Sequence, residues 1–458
     1  MSSSLLIEER YMNEMSFIPF HRPSIGDEEI AEAVDTLRSG WLTTGPKTAQ
    51  FERDFETYVQ SPHALAANSC TAGLHLALAA LGIGPGDEVI TTPLTFCATV
   101  NTIMHVGATP VLADVGRDGN IDPASVEARI TPRTKAIIPV HLGGLPCDLA
   151  SLWRIANRFG LQVIEDAAHA VGTIYQGKPI GAASLIPLRG SHAVAFSFYA
   201  TKNLTTAEGG MVTTADPELH DRMKRLCLHG ISRDAWNRYT DKGNWYYEVH
   251  ECGFKYNLSD LQSSIGLHQL RKQEKFVETR TRYAHLYASM LADTEEVELP
   301  SEAPLGSRHA WHLYSIRLNL GKLRINRSEF IQALREKRIG ASVHFIPIQL
   351  HPFFRTLAYL PQNHCPVVLA MYPRLVTLPL YPGMTEGEVE YVGATVRELL
   401  RENRTGARRA PSFPHAPLPV YSDPRFDQVI SAQRAADRQA QIFDRLPGIA
   451  AADGEVRS

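Results

Sequence analysis

The chain has little that would direct it to a nucleic acid, a membrane or an oxidising compartment. Its 46 lysines and arginines stand against 49 aspartates and glutamates, a net charge of −3 over 458 residues. Such a balance builds no long field of one sign for nucleic acid or an anionic membrane, and no basic DNA-reading element stands out. The six cysteines, Cys70, Cys97, Cys147, Cys227, Cys252 and Cys365, form no C-x-x-C pair. That scatter argues against a disulfide framework or a structural metal and reads as reduced thiols. No apolar run approaches the ~20 residues of a membrane span, and Met1–Arg10 lacks the basic and apolar segments of a signal peptide. The expectation is a cytoplasmic protein with a small-molecule partner and no nucleic acid, membrane or metal.

What is present is a large apolar content, 44% of residues, enough for two domains and a tail. Short apolar runs predict strands at Ala64–Ala67, Glu88–Thr91, Pro110–Asp114, Thr134–Val140, Leu161–Glu165, His192–Phe196 and Gly210–Thr214, with helical patterns such as Leu149–Phe159 alternating with some of them. That alternation predicts an α/β fold with a mostly parallel sheet between helices. Ile30, Val34 and Leu37 have helical spacing and stop at Gly40. Gly82-Ile-Gly-Pro-Gly86 follows a helix and lacks dinucleotide-loop spacing, so it reads as a turn. A long helical pattern from Leu261 to Tyr287 precedes strand candidates His309–Arg317 and Ser342–Ile346, and capping boxes open helices at Asn326 and Thr385.

Two residues carry the chemistry. Lys202, in Phe196-Ser-Phe-Tyr-Ala-Thr-Lys-Asn203, and Asp166, ending Leu161-Gln-Val-Ile-Glu-Asp166, both follow predicted strands, where open α/β sheets build ligand sites. A lysine amine that forms an imine with an aldehyde, together with a carboxylate that keeps a pyridine nitrogen protonated, is the pair that pyridoxal 5'-phosphate (PLP) chemistry requires. Alone, each has a plain reading, as a surface lysine and a turn or cap aspartate. Asn68-Ser-Cys-Thr-Ala-Gly73, a polar turn at a helix start, can present N–H groups to a phosphate or can simply cap the helix. His309, His312, His344 and His351 lack metal-ligand spacing and read as packing or substrate contacts.

With these residues placed, the chain resembles the PLP-dependent nucleotide-sugar aminotransferases of the DegT/DnrJ/StrS type over roughly residues 17–402. The blocks that carry the likeness are Ser39-Gly-Trp-Leu-Thr-Thr-Gly-Pro46, Asn68–Gly73, Pro93-Leu-Thr-Phe-Cys-Ala98, Glu165-Asp-Ala-Ala-His169, Lys202-Asn-Leu-Thr-Thr206 and Tyr256-Asn-Leu-Ser-Asp260. The resemblance implies a fold-type I PLP-dependent transferase, a homodimer with active sites at the subunit interface. It implies Lys202 as the Schiff-base lysine and Asp166 at the pyridine nitrogen, with Phe96 stacked on the ring and His169 beside its phenolic oxygen. Thr71 and Ala72 N–H groups and the Ser197 hydroxyl would hold the phosphate, and Asn257 would reach it from the other subunit. Ala207 departs from the family, which commonly has glycine before Glu208-Gly-Gly210.

The same resemblance implies a large PLP-binding domain at 17–270 and a smaller α+β domain at 271–402. Residues 1–16 read as an extension and 403–458 as a proline-containing linker with a helical stretch at Asp427–Leu446. The implied reaction moves an amino group from an amino acid, with glutamate as donor, to a nucleotide-linked keto sugar, in which Lys202 acts as general base and acid. The Trp41–Lys47 and Gly253–Asn257 blocks favour a 4-keto over a 3-keto acceptor. Lys202 speaks against the related sugar dehydratases, which carry histidine there; a non-enzymatic PLP-binding regulator is the other alternative.

Overall fold

The computed structural model describes residues 16–185, 190–231, 246–361 and 364–405. The expected extension at 1–16, apart from Ser16, and nearly all of the linker and tail at 403–458 lie outside the described residues. The central sheet contains seven strands: β1 (His63–Ala67), β2 (Glu88–Thr91), β3 (Thr109–Leu112), β4 (Thr134–Ile138), β5 (Gln162–Asp166), β6 (His192–Ser197) and β7 (Gly210–Thr214). Their spatial order is β1-β7-β6-β5-β4-β2-β3, with every pairing parallel except those of β7. Strands β2, β6 and β7 are buried throughout, as expected where helices cover both faces and apolar runs need not alternate.

Helices α1 (Asp27–Ser39), α2 (Pro46–Val59), α3 (Cys70–Ala80), α4 (Cys97–His105), α5 (Leu149–Phe159) and α6 (Pro217–Cys227) belong with this sheet in the chain. Beyond them runs α7 (Asp260–Leu291), a 32-residue helix opened by a Ser259–Gln262 capping box. Leu267 and Leu270 of α7 pack into the core that holds β5 and β6. Tyr283, Ala284, Tyr287 and Leu291 enter a second core, around a three-stranded sheet of β8 (Val297–Glu298), β9 (Tyr314–Leu318) and β10 (Leu375–Leu378). The boundary expected at residue 270 thus falls inside one continuous helix. Arg280 of α7, 1% exposed, donates to the Trp311 and Leu380 carbonyls of the second core at 3.2 and 2.6 Å. Helices α8 (Arg327–Glu336) and α9 (Glu386–Glu402) close this sheet, and both begin with the expected capping boxes. No helix of the described residues is long and apolar enough to cross a membrane.

Two local expectations differ from the structure. The stretch from His309 becomes a strand only at Tyr314: Trp311 has a φ of 47°, its N–H donates to His309 Nδ1 at 2.8 Å, and the two rings stack at 3.9 Å. A local turn has displaced the pleat. Ser342–Ile346 makes a single bridge, Ser342 to Thr377, and then leaves the sheet; His344 turns its Nδ1 to Thr377 Oγ1 at 3.0 Å, and the Phe345 ring stacks on His169. The apolar stripe of α1 faces outward, with Ile30 55% and Leu37 54% exposed, while Glu29 and Thr36 of the same helix are buried.

A tertiary cap joins the start of α7 to α2. The N-cap of α2 is Gly45, which has no side chain to receive the first-turn N–H groups. Asp260 supplies the acceptor: its carboxylate takes the N–H groups of Gly45, Lys47 and Thr48 at 2.7, 3.1 and 2.9 Å and the Thr48 hydroxyl at 2.7 Å. Asp260 is 2% exposed, so water cannot replace these bonds. The Asp260→Ala substitution should lower the unfolding free energy by about 2–4 kcal/mol, read as a fall in the urea midpoint. Asp260→Asn, which keeps an acceptor, should lose less.

Candidate active site

The carboxyl ends of β5 and β6 open into a cavity of about 470 Å³. Asp166 is the last residue of β5 and Ser197 the last of β6. From Ser197 the chain turns through Tyr199 to Lys202, whose N–H donates to the Tyr199 carbonyl at 2.8 Å. Parallel pairing of β5 with β6, Asp166 opposite Ala195, ends both strands at the same level and brings the aspartate and the lysine to one cavity. Thr71, Phe96, His169 and Ser197 line it too.

Asp166 is buried and accepts hydrogen bonds from Thr99 Oγ1 at 2.7 Å and Ala168 N–H at 3.1 Å. Burial raises its carboxyl above the usual range, against the pull of those two donors, Lys202 and His141. A carboxylate in that condition costs free energy until a cation arrives, which fits it to a protonated ring nitrogen. Burial lowers the Lys202 amine to about 8, with Cys70 and Asp166 opposing the shift. It is therefore neutral in an appreciable fraction near physiological pH, as attack on an aldehyde requires.

The rest of the cavity divides by chemistry. At the start of α3, Ser69 caps the helix by accepting the Ala72 N–H at 3.0 Å. Ala72 N–H is thus engaged within the turn and Ala72 does not line the cavity, whereas Cys70 and Thr71, the first helical residues, do. Gly210 lets β7 run close beneath this turn: a Cβ there would meet Cys70 N at 2.5 Å and the Phe196 carbonyl oxygen at 2.8 Å. Phe96, just before α4, is 61% exposed with its ring centroid 6.2 Å from that of Phe345, an apolar face left available to a planar ligand. His169 accepts the Gly143 N–H on Nδ1 at 3.2 Å. Burial, then Lys202, keeps its pKa well below the ordinary value, so the ring is neutral and its proton sits on Nε2, a donor toward an oxygen. These groups fit the aldehyde, ring, phenolic oxygen and phosphate of PLP.

Asn257 does not line the cavity of its own protomer; it donates from Nδ2 to Thr44 Oγ1 at 2.7 Å. Of the four histidines singled out in the sequence, His312 and His344 line the cavity and His309 and His351 do not. Thr99, Phe20, His21 and Phe345 join the site without having been singled out. For Thr99 the signal was its position one helical turn after Phe96; Phe20 and His21 arrive by tertiary packing, since Ile18 bridges to Ile339 and Phe20 stacks on His344 at 5.2 Å. Ala207 has a φ of 69°, left-handed backbone that costs a residue with a Cβ ~1–2 kcal/mol. The glycine common at this position in the resembling family would relieve it.

Comparison with known proteins agrees with this geometry. The model of the DegT/DnrJ/EryC1/StrS aminotransferase family matches residues 23–397. The spore coat polysaccharide biosynthesis protein SpsC of Bacillus subtilis (strain 168) is 48% identical over 387 residues, 84% of this chain and 97% of SpsC. Among solved structures, the PLP form of Spr1654 from Streptococcus pneumoniae is similar at 34% identity and a TM-score of 0.77, covering 84% of this chain and 99% of Spr1654. The sugar aminotransferase CalS13 from Micromonospora echinospora is similar at 29% identity and a TM-score of 0.73, covering 83% and 99%.

Because a neutral amine is needed, the rate at which cofactor-free protein captures PLP should rise with pH and level off above about 8. Stopped-flow absorbance of the bound cofactor measures it. A rate independent of pH across that range would remove the depressed amine from the argument, and Lys202→Ala should abolish covalent capture.

Proposed function

As a member of the DegT/DnrJ/EryC1/StrS aminotransferase family the chain is a PLP-dependent sugar aminotransferase, and we propose that it moves the amino group of glutamate onto C4 of a nucleotide-linked 4-keto sugar. The observation that carries the reading is the convergence of a buried carboxylate, Asp166, and an amine lowered to about 8, Lys202, on one cavity. PLP, when bound, supplies an aldehyde that exchanges an amino group and a protonated ring that withdraws electrons from the reacting carbon.

The side chains divide the work. Asp166, held by Thr99 and Ala168, keeps the proton on the ring nitrogen. Lys202 would hold the aldehyde carbon through its amine, and as a free amine it would take the proton from the donor carbon and deliver it to the cofactor carbon that receives the amino group. His169, with its proton on Nε2, would donate to the phenolic oxygen, and Phe96 would offer its exposed ring as an apolar face. Ser197 and the free end of the Ser69–Gly73 turn bind the phosphate; the N–H of Thr71 is the better placed of the two expected there, since that of Ala72 serves the Ser69 cap. The same steps in reverse deliver the amino group to the keto sugar.

The 4-keto acceptor is supported by the two blocks whose likeness points to it, which the Asn257–Thr44 hydrogen bond holds together. A homodimer with shared sites is supported by the outward apolar stripe of α1, continued by Trp41 and Leu42 at 37% and 45% exposure. Asn257, beside this stripe through Thr44 and outside its own cavity, is available to the neighbouring subunit's phosphate.

Purified enzyme should consume glutamate beyond one equivalent per site only when a keto sugar nucleotide is added. A panel of dTDP- and UDP-linked 4-keto and 3-keto sugars, with products identified by mass and NMR, tests the acceptor. Turnover confined to 3-keto sugars would replace the C4 assignment, and turnover of none would sink the proposal. Leu37→Glu in the apolar stripe should shift the light-scattering mass from dimer to monomer and remove activity; an active monomer would refute shared sites.

A further inference from the structure

A second buried carboxylate stands directly behind Asp166. Glu165 precedes it on β5, so the pleat sends its side chain to the opposite face of the sheet. Glu165 is 1% exposed, and its two oxygens accept from His141 Nε2 at 2.8 Å and His192 Nε2 at 2.6 Å. Both imidazoles are themselves buried. The cluster is bound to Asp166 through the backbone as well: His141 N–H donates to the Asp166 carbonyl at 3.1 Å, and Asp166 N–H to the Pro139 carbonyl at 2.8 Å.

Hydrogen bonding decides the charge of this cluster. His141 Nδ1 accepts the Cys147 N–H at 3.1 Å, so the ring proton is on Nε2 and the imidazole is neutral. His192 Nδ1 is buried without a partner; a proton there would add an unsatisfied donor to a buried cation, so His192 is neutral with its proton on Nε2 as well. Burial raises the Glu165 carboxyl, and the two Nε2–H donors lower it. The remaining groups facing the cluster supply no cation: Cys147, ahead of α5, is a thiol raised by burial, and Asp118 and Asp148 near it are acids. Among the described residues no lysine or arginine makes an ion pair with Glu165. With both imidazoles neutral and Glu165 ionised, the cluster carries one negative charge.

We propose that Glu165 is a positioning residue for the ring nitrogen: a permanently ionised carboxylate, locked between two neutral histidines behind β5, that acts through Asp166 to raise the affinity of the bound ring for its proton. The inference rests on the reading that Asp166 pairs with that nitrogen. Like charge behind Asp166 leaves the site short of positive charge, and protonating the ring nitrogen is the response that relieves it. The network would thereby hold the ring in its electron-withdrawing form without touching cofactor or substrate.

The test uses holoenzyme loaded with PLP carrying ¹⁵N in the ring, titrated with pH and followed by NMR. Glu165→Gln keeps the shape, and His192 can accept from the amide by moving its proton to Nδ1, at the cost of one unpartnered N–H there. The ring nitrogen should lose its proton about one pH unit lower than in wild type, about tenfold in proton affinity. An unchanged midpoint in folded variant overturns the proposal, since a purely structural network would not move it. If Glu165→Gln does not fold, the imidazole ¹⁵N spectrum of wild type decides: two neutral Nε2–H rings, assigned with His192→Gln, are expected, and an imidazolium on either one overturns it. Asp166→Asn separates the underlying reading. A ring nitrogen that stays protonated as in wild type there would show that Asp166 is not its partner, whatever Glu165 does.

Discussion

The site is organised around one unfavourable fact, a carboxylate buried at the end of a central strand with no cation of its own. Asp166 is held in place by a threonine hydroxyl and a backbone N–H, which satisfy its lone pairs but do not neutralise it. Around it the lysine amine is lowered, and His169, His312 and His344 are kept neutral by burial. A cavity so arranged has an anion that needs a proton-bearing partner, and an amine ready to act as nucleophile. In the proposed reading PLP would meet both needs at once, and binding it would relieve the electrostatic penalty of the buried carboxylate.

Holding that arrangement depends on the scaffold more than on the residues that touch the ligand. Parallel pairing sets the ends of β5 and β6 at one level. Helix α7 then runs unbroken from the core behind those strands to the core around the small sheet, where Arg280 is fastened to the Trp311 and Leu380 carbonyls. Its first residue, Asp260, caps α2 and ties the Trp41–Pro46 loop to the Tyr256–Asp260 block. Residues that look like separate motifs along the chain are in this way one hydrogen-bonded structure.

Legibility in the sequence varied with the range of the interaction that decides each feature. Strands β2 and β7 and the caps at Asn326 and Thr385 follow from local rules, and they lie where those rules place them. His309–Leu313 and Ser342–Ile346 have strand-like composition yet leave the sheet, because His309 stacks on Trp311 and Phe345 on His169 in preference to a ladder. The α1 stripe has a helical period that says nothing about which side meets the core; the polar residues Glu29 and Thr36 took that side.

The sequence by itself determined the family and with it the cofactor, because several ordered motifs leave a local trace; the roles proposed for Lys202 and Asp166 are read from those motifs. It likewise determined the alternation of strands and helices, which depends on short-range periodicity. Only the tertiary structure decided that Thr99 grips Asp166, that the Ala72 N–H is already engaged by Ser69, and that Glu165 sits charged between His141 and His192. Those facts depend on contacts between residues far apart in the chain and on burial, which strengthens each hydrogen bond and penalises each unpaired charge. Neither quantity exists until the chain has folded.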